Sequence, residues 1–291
     1  MKVRKKTRKR TEAGGENHNT RQRKIAAIHD LSGFGRCSLT VALPIISAMG
    51  MQCCPMPTAL LSNHTGYPSF SFEDLTDQME AFIAEWKKLG LRFDGIYSGF
   101  LGDEAQIAVV ERFLKEFHAR DSIYLCDPVL GDDGVAYKTC DEKLCGQMRR
   151  LAAQADVLTP NLTELALLSG CPYRADIDDE SILRQIYRLA DGRPVQIVVT
   201  GVVREDRILN FAYDGRQNCY EIISCEREYD SYSGTGDVFA SVVAAHMVKH
   251  RDFFAAVKKA VKFTERAVVL SCKAEVPATD GLCFEPLLSR L

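Results

Sequence analysis

An α/β fold with a mostly parallel central sheet, covered by helices on both faces, is what the 291-residue sequence predicts, and three observations carry it. Short apolar runs alternate with helical periods along the middle of the chain, the spacing of parallel strands and crossover helices. The residues that follow these runs, Asp30, Gly99, Asp127, Thr159 to Glu164, Thr200 and Gly201, are small, polar or acidic, as expected where a parallel sheet collects ligands at its strand ends. Between Val202 and Ile223 the helices stop, and RILNFAYDGRQNCYEII reads as two antiparallel strands joined at Asp214-Gly215.

In order, IAAIH after Lys24 is a strand, Asp30 to Arg36 a glycine-containing turn, and Ser38 to Met49 a helix. MQCCPMPTALLS supplies one or two extended segments whose ends the prolines set. A helical period runs from Phe72 to Leu89 with Leu75, Met79, Phe82, Ile83 and Trp86 on one face, and Asp74 and Asp77 suit its first turn. FDGIYSGF, SIYLCDP, ADVLTP and PVQIVVTG are strands; Asp103 to His118, Asp141 to Ala153, Leu162 to Ser169 and Ser181 to Ala190 are helices. Val238 to Val248 and Phe253 to Leu270 close the chain.

With 46% hydrophobic residues and no internal polar linker, residues 24–291 read as one domain. Residues 1–23, with seven basic side chains between Lys2 and Arg10 and no apolar run, read as a disordered tail without signal or anchor character. A net charge of -2 gives no case for nucleic acid, and no apolar stretch is long enough for a membrane span. Most of the eleven cysteines sit among apolar residues, as buried thiols do in a reducing cytoplasm; Cys53-Cys54 lacks the second pair that a zinc site requires.

The chemistry concentrates in DSYSGTGDVFAS, Asp230 to Ser241. Glycines around Thr235 let backbone N–H groups converge at the start of a helix, where the first N–H groups lack intrahelical partners and favour an anion. Asp237 at that mouth would repel a resting phosphate, so it suits an attacking hydroxyl while the N–H groups hold a phosphoryl group in transit; the alternative is an ordinary helix cap. Asp127 with Asp132 and Asp133, and Glu164 behind an Asn161 cap, form two acidic strand ends suited to a shared Mg²⁺ or, alternatively, separate caps and solvated loops. Thr159 and Asn161 could bind phosphate oxygens or satisfy local backbone. His64 in LSNHTGYPS could donate to a substrate or be tied into its own loop.

SGTGDVFAS, with CDPVLGDDG, TPNLTEL and LSNHTGY, resembles the ribokinase-like superfamily, and LSNHTGY points to its pyridoxal kinase branch over about Lys24 to Cys283. That resemblance implies a ribokinase-like three-layer sandwich, ATP as donor, Mg²⁺ as cofactor, a homodimer, and the 5'-hydroxyl of pyridoxal, pyridoxine or pyridoxamine as acceptor. It implies Asp237 as base and Gly234, Thr235 and Gly236 as anion hole. Asp127 and Glu164 would be metal-linked, and Asp132, Thr159, Asn161 and Thr200 would line the nucleotide phosphates. His64 and Thr65 would face the ring. Two departures bear on the substrate: Asp30 stands where this branch often has serine, and Phe100 where it commonly has tyrosine. A carboxylate there would favour a cationic ring or amine. The alternatives are a hydroxymethylpyrimidine kinase and a noncatalytic regulator of the same fold.

Overall fold

A computed structural model describes residues 21–137, 140–227 and 232–291. Most of the basic tail, and Asp230 and Ser231 of the glycine loop, lie outside the described residues.

The chain runs β1 (Lys24–Ser32), α1 (Ser38–Ala48), β2 (Gln52–Leu61), β3 (Phe72–Asp74), α2 (Thr76–Lys88), β4 (Gly95–Ser98), α3 (Glu104–Phe117) and β5 (Ile123–Cys126). It continues through β6 (Gly131–Asp132), β7 (Val135–Ala136), α4 (Glu142–Ala152), β8 (Val157–Leu158), α5 (Leu162–Ser169), α6 (Asp179–Ala190) and β9 (Gln196–Arg204). The antiparallel strands β10 (Arg207–Asp214) and β11 (Cys219–Glu226) and the helices α7 (Thr235–His250) and α8 (Phe253–Lys273) follow. One nine-stranded sheet has the order β11-β10-β9-β8-β5-β4-β1-β2-β3. Its six inner members, β9 through β2, are parallel, and β3, β10 and β11 are antiparallel at the edges.

Strand periodicity sorts the core into two layers. Ala26, Ile28, Ile96, Tyr124, Leu158 and Ile197 face α2 to α6, whereas Ile25, Ala27, Tyr97, Leu125, Val157 and Val198 face α1, α7 and α8. Alternate residues of one strand therefore bury against opposite helical layers, the condition for near-continuous apolar strands in a three-layer sandwich. Helices α3 to α6 begin where acidic or amide side chains accept from their first turn: Asp103 from the Gln106 N–H, Asp141 from that of Leu144, Asn161 from that of Glu164 and Asp178 from that of Ser181.

Local expectations shift at three places. The helix expected from Phe72 starts at Thr76, because Phe72, Glu73 and Asp74 pair with Leu61, Leu60 and Ala59. MQCCPMPTALLS forms a single strand, with Pro55 and Pro57 inside it rather than at its ends. Both lie on the stretch of β2 that β3, which reaches only Ala59–Leu61, leaves unpaired on its outer side, a setting in which a strand tolerates proline. The turn between β10 and β11 occupies residues 215–218 rather than closing at Asp214-Gly215.

Candidate active site

Because β1, β4, β5, β8 and β9 are parallel, their carboxyl ends lie along one edge of the sheet, and the start of α7 comes to the same edge. The result is an open cleft of about 1710 Å³. Every residue predicted for the site lines it: Asp30, His64, Thr65, Phe100, Asp127, Asp132, Thr159, Asn161, Glu164, Thr200, Gly234, Thr235, Gly236 and Asp237.

The α7 loop is built by a left-handed glycine. Gly234 caps the helix at φ 74°, and a Cβ there would stand 1.9 Å from the carbonyl oxygen of Arg36. Only glycine combines that backbone with that approach. Helix α7 starts at Thr235, three residues before the apolar run predicted to open it. The N–H groups of Thr235, Gly236 and Asp237 are therefore first-turn groups without intrahelical acceptors. Asp237 does not cap the helix: its Oδ1 lies 2.9 Å from Nε2 of His29.

His29 was not singled out by sequence, yet it organises this end of the cleft. It is 2% exposed, and its Nδ1 lies 3.0 Å from Oδ1 of Asp30. Burial disfavours its charge, but hydrogen bonds and charge from Asp237 and Asp30 outweigh that and raise its pKa to about 10. The β1–β2 ladder is irregular here: His29 pairs with Pro57 but Leu31 with Leu60, so β2 carries an extra residue beside the histidine. The ring lies against the β4 end, where a Cβ on Gly99 would come within 2.0 Å of it.

Asp30 does not fit the substrate-reading role implied for it. Its Oδ1 accepts from the Ser38 hydroxyl at 2.5 Å as well as facing His29, and its Oδ2 accepts from the Ser32 hydroxyl at 2.9 Å. Despite burial, these partners, His29 foremost, lower its pKa. Ser38 makes its contact with a left-handed backbone, φ 52°, a strain that the surrounding contacts must hold.

At the centre of the cleft, Asp127 is 8% exposed, and its Oδ1 accepts from the Thr159 hydroxyl at 2.9 Å. Burial first, then the charge of Asp237, push its pKa to about 7. Glu164 is raised to about 8 by burial and by Asp127. Its two oxygens accept from the Leu130 and Asn161 N–H groups at 3.0 and 2.9 Å. Among the described residues no three histidine, cysteine or acidic side chains form a metal cage. The pair nevertheless fits a mostly hydrated Mg²⁺, since Asp127 Oδ2 takes no donor among the described residues and added positive charge would relieve both carboxyls. Direct ligation by Glu164 is disfavoured, because both its oxygens already hold backbone N–H groups.

Side chains expected on nucleotide phosphates are partly committed elsewhere. Asn161 caps α5 and donates to the Gly131 carbonyl at 2.7 Å, and Thr159 donates to Asp127. Asp132 lies in the small β6–β7 hairpin, and Thr200 bridges to Asn161. His64 is also committed: Nδ1 accepts from the Gly66 N–H at 3.1 Å, leaving Nε2 to donate to the Thr279 carbonyl at 2.7 Å. Its ring stands against Gly35 and Gly66, so the loop-tied reading describes it, while Thr65 is exposed to the cleft. Phe100 contributes its amide, 3.2 Å from His29 Nδ1. All eleven cysteines are free; Cys37, beside Asp30 and Asp237, is held as a thiol by burial and by both carboxylates, its pKa about 12.

The short turn Ala278–Asp280 clasps these loops together. The Ala278 carbonyl accepts from the Ser233 N–H, and the Asp280 carbonyl from the Arg36 N–H, both at 3.0 Å. The Asp280 carboxylate accepts from the Tyr67 hydroxyl at 2.7 Å.

Comparison with known proteins follows the same ground. A family model described as phosphomethylpyrimidine kinase matches residues 43–279. A Bacteroides thetaiotaomicron protein, provisionally described as a phosphomethylpyrimidine kinase, is 43% identical, with a TM-score of 0.90 over 94% of this chain and 95% of its own. A second crystal form of that protein contains pyridoxal. The pyridoxal kinase of Lactobacillus plantarum is 31% identical, with a TM-score of 0.85 over 92% of this chain and 96% of its own. The pyridoxine/pyridoxal/pyridoxamine kinase of Bordetella avium is 28% identical over 85% of this chain and 84% of its own length. The placement in the pyridoxal kinase branch, made on LSNHTGY, is corrected: the matching family model and the 43%-identical structure carry the phosphomethylpyrimidine description. The fold is ribokinase-like, and with one family model spanning residues 43–279, including the site strands after β1 and the α7 loop, this kinase belongs to the phosphomethylpyrimidine kinase family.

Proposed function

We propose that the chain transfers the terminal phosphoryl group of ATP to the hydroxymethyl group of a hydroxymethylpyrimidine-type substrate. The observation that carries this reading is the setting of Asp237: Oδ1 is held by His29, Oδ2 takes no donor among the described residues, and the first N–H groups of α7 lie beside it. The acceptor hydroxyl binds at Oδ2, which takes its proton as the bond to phosphorus forms and the bond to the departing ADP oxygen breaks. An aspartate cannot deprotonate an alcohol outright in the ground state, so its work is orientation and late proton acceptance. The N–H groups of Thr235, Gly236 and Asp237 hold the phosphoryl oxygens. Asp127 would hold Mg²⁺ directly and Glu164 through water; the ion supplies charge neutralisation on the phosphates.

Purified protein with Mg²⁺ and ATP is expected to phosphorylate a hydroxymethylpyrimidine, and Asp237→Asn to lower kcat by about 10² to 10⁴ with little change in KM. Phosphorylation of pyridoxal without any of the pyrimidine overturns the substrate assignment. An unchanged kcat in Asp237→Asn, with chemistry rate-limiting, removes the base.

A further inference from the structure

His29 is the one histidine among the described residues that is buried, and both its ring nitrogens meet carboxylate oxygens, at 3.0 Å on Asp30 and 2.9 Å on Asp237. The Asp30 and Phe100 N–H groups also approach Nδ1, at 3.0 and 3.2 Å, but a neutral ring accepting them would hold that lone pair 3.0 Å from Asp30 Oδ1 and leave neither carboxylate a cation among the described residues; the doubly protonated ring meets both carboxylates. We propose that His29 is a positioning residue, an imidazolium that pins Oδ1 of Asp237 so that Oδ2 alone meets the acceptor hydroxyl. The inference rests on the reading of Asp237 as proton acceptor.

Three features hold the ring to that task. Asp30 is anchored by the hydroxyls of Ser32 and Ser38, which fixes the far nitrogen. The bare backbone of Gly99 admits the ring at a distance that any side chain would close. Tyr97 packs edge-on with ring centroids 6.1 Å apart. Asp30, Asp237 and Tyr97 meet the ring and the charge of Asp127 is felt there, and among the described residues none of the ionisable groups acting on it is a lysine or arginine. His29 thus supplies the positive charge that lets the buried Asp30 and the partly buried Asp237 flank one ring, and its high pKa agrees with that role. During transfer the hydroxyl proton passes to Asp237 Oδ2 and His29 keeps both of its own. Its contribution is direction rather than proton movement.

In ¹⁵N-labelled unmodified protein at pH 8, both nitrogens of His29 are expected to show attached protons, whereas an ordinary histidine is neutral there. His29→Ala is expected to lower kcat about 10²-fold with KM for ATP and the pyrimidine within about threefold, and His29→Gln, which restores an N–H toward Asp237, to recover about tenfold. A neutral ring at pH 8 overturns the proposal, as does a His29→Ala enzyme with kcat within about twofold of the parent. If His29→Ala fails to fold, the ring spectrum of the unmodified protein decides. Asp237→Asn at full activity sinks the base reading itself; Asp237→Asn inactive beside a fully active His29→Ala sinks only the positioning role.

Discussion

Asp127 holds a proton at a pH where most aspartates have lost theirs, because burial and the nearby Asp237 penalise its charge by more than the Thr159 hydroxyl and the charge of His29 support it. The sign follows directly. An aspartyl group with an ordinary value of 3.8 and a folded value of about 7 binds more protons folded than unfolded between those limits, so stability without ligand falls as pH rises through that window. Asp127→Asn keeps an acceptor for the Thr159 hydroxyl and removes the titration. Its Tm relative to the parent is expected to climb between pH 5 and pH 8, measured with chelator present; a constant offset would mean that Asp127 carries no such burden. Legibility at this scale was uneven for a physical reason. Asp127 and Asp237 stand out because an acidic residue after an apolar run, or at a glycine-rich helix start, has few local uses. His29 does not, because its partner is 208 residues away and its own strand predicts only a ladder position. Asp30 and Asn161 were visible as site residues, but their hydrogen bonds belong to neighbours that sequence spacing does not reveal.

The start of α7 separates two uses of glycine. Gly234 is required by the backbone, and Gly234→Ala would incur the left-handed penalty of about 1–2 kcal/mol plus displacement of the Arg36 carbonyl, for a total loss above about 2 kcal/mol. Gly236 lies within the helix at an ordinary φ, and a Cβ there would meet nothing within 4 Å. Gly236→Ala is expected to leave stability equal or higher by up to about 1 kcal/mol while lowering kcat, since the space it fills belongs to the phosphoryl group. Thermal unfolding beside turnover checks both; a Gly236→Ala enzyme of normal kcat would show that this space is not used. Elements with their own start signals, such as α3 at Asp103 and α5 at Asn161, were legible almost to the residue. β3 was not, because its three residues also continue the period of α2 and only the pairing with β2 decides between strand and helix.

For the whole molecule, strand and helix alternation made a mostly parallel, helix-covered sheet legible but not its strand order, and the closing of the cleft depends on contacts between distant loops. The amides of Arg36 and Ser233 both donate into the turn at residues 278–280. They are expected to exchange hydrogen as one unit, and Gly281→Ala, whose Cβ would lie 2.6 Å from the Arg36 carbonyl oxygen, to release both while Ile28 and Tyr97 at the sheet centre stay protected. Independent exchange, read by mass spectrometry of peptides around the two amides, would refute that coupling. The turn also lies downstream in the chain of every loop it joins. During synthesis the strands and the α7 glycines are all made before the piece that fastens them to the β1–α1 turn, so a growing chain halted short of residue 278 would carry nearly every chemical group of the site yet lack the tie that sets them in register. An ordered site for phosphoryl transfer is therefore expected only after the last part of the chain has been made and that tie has formed.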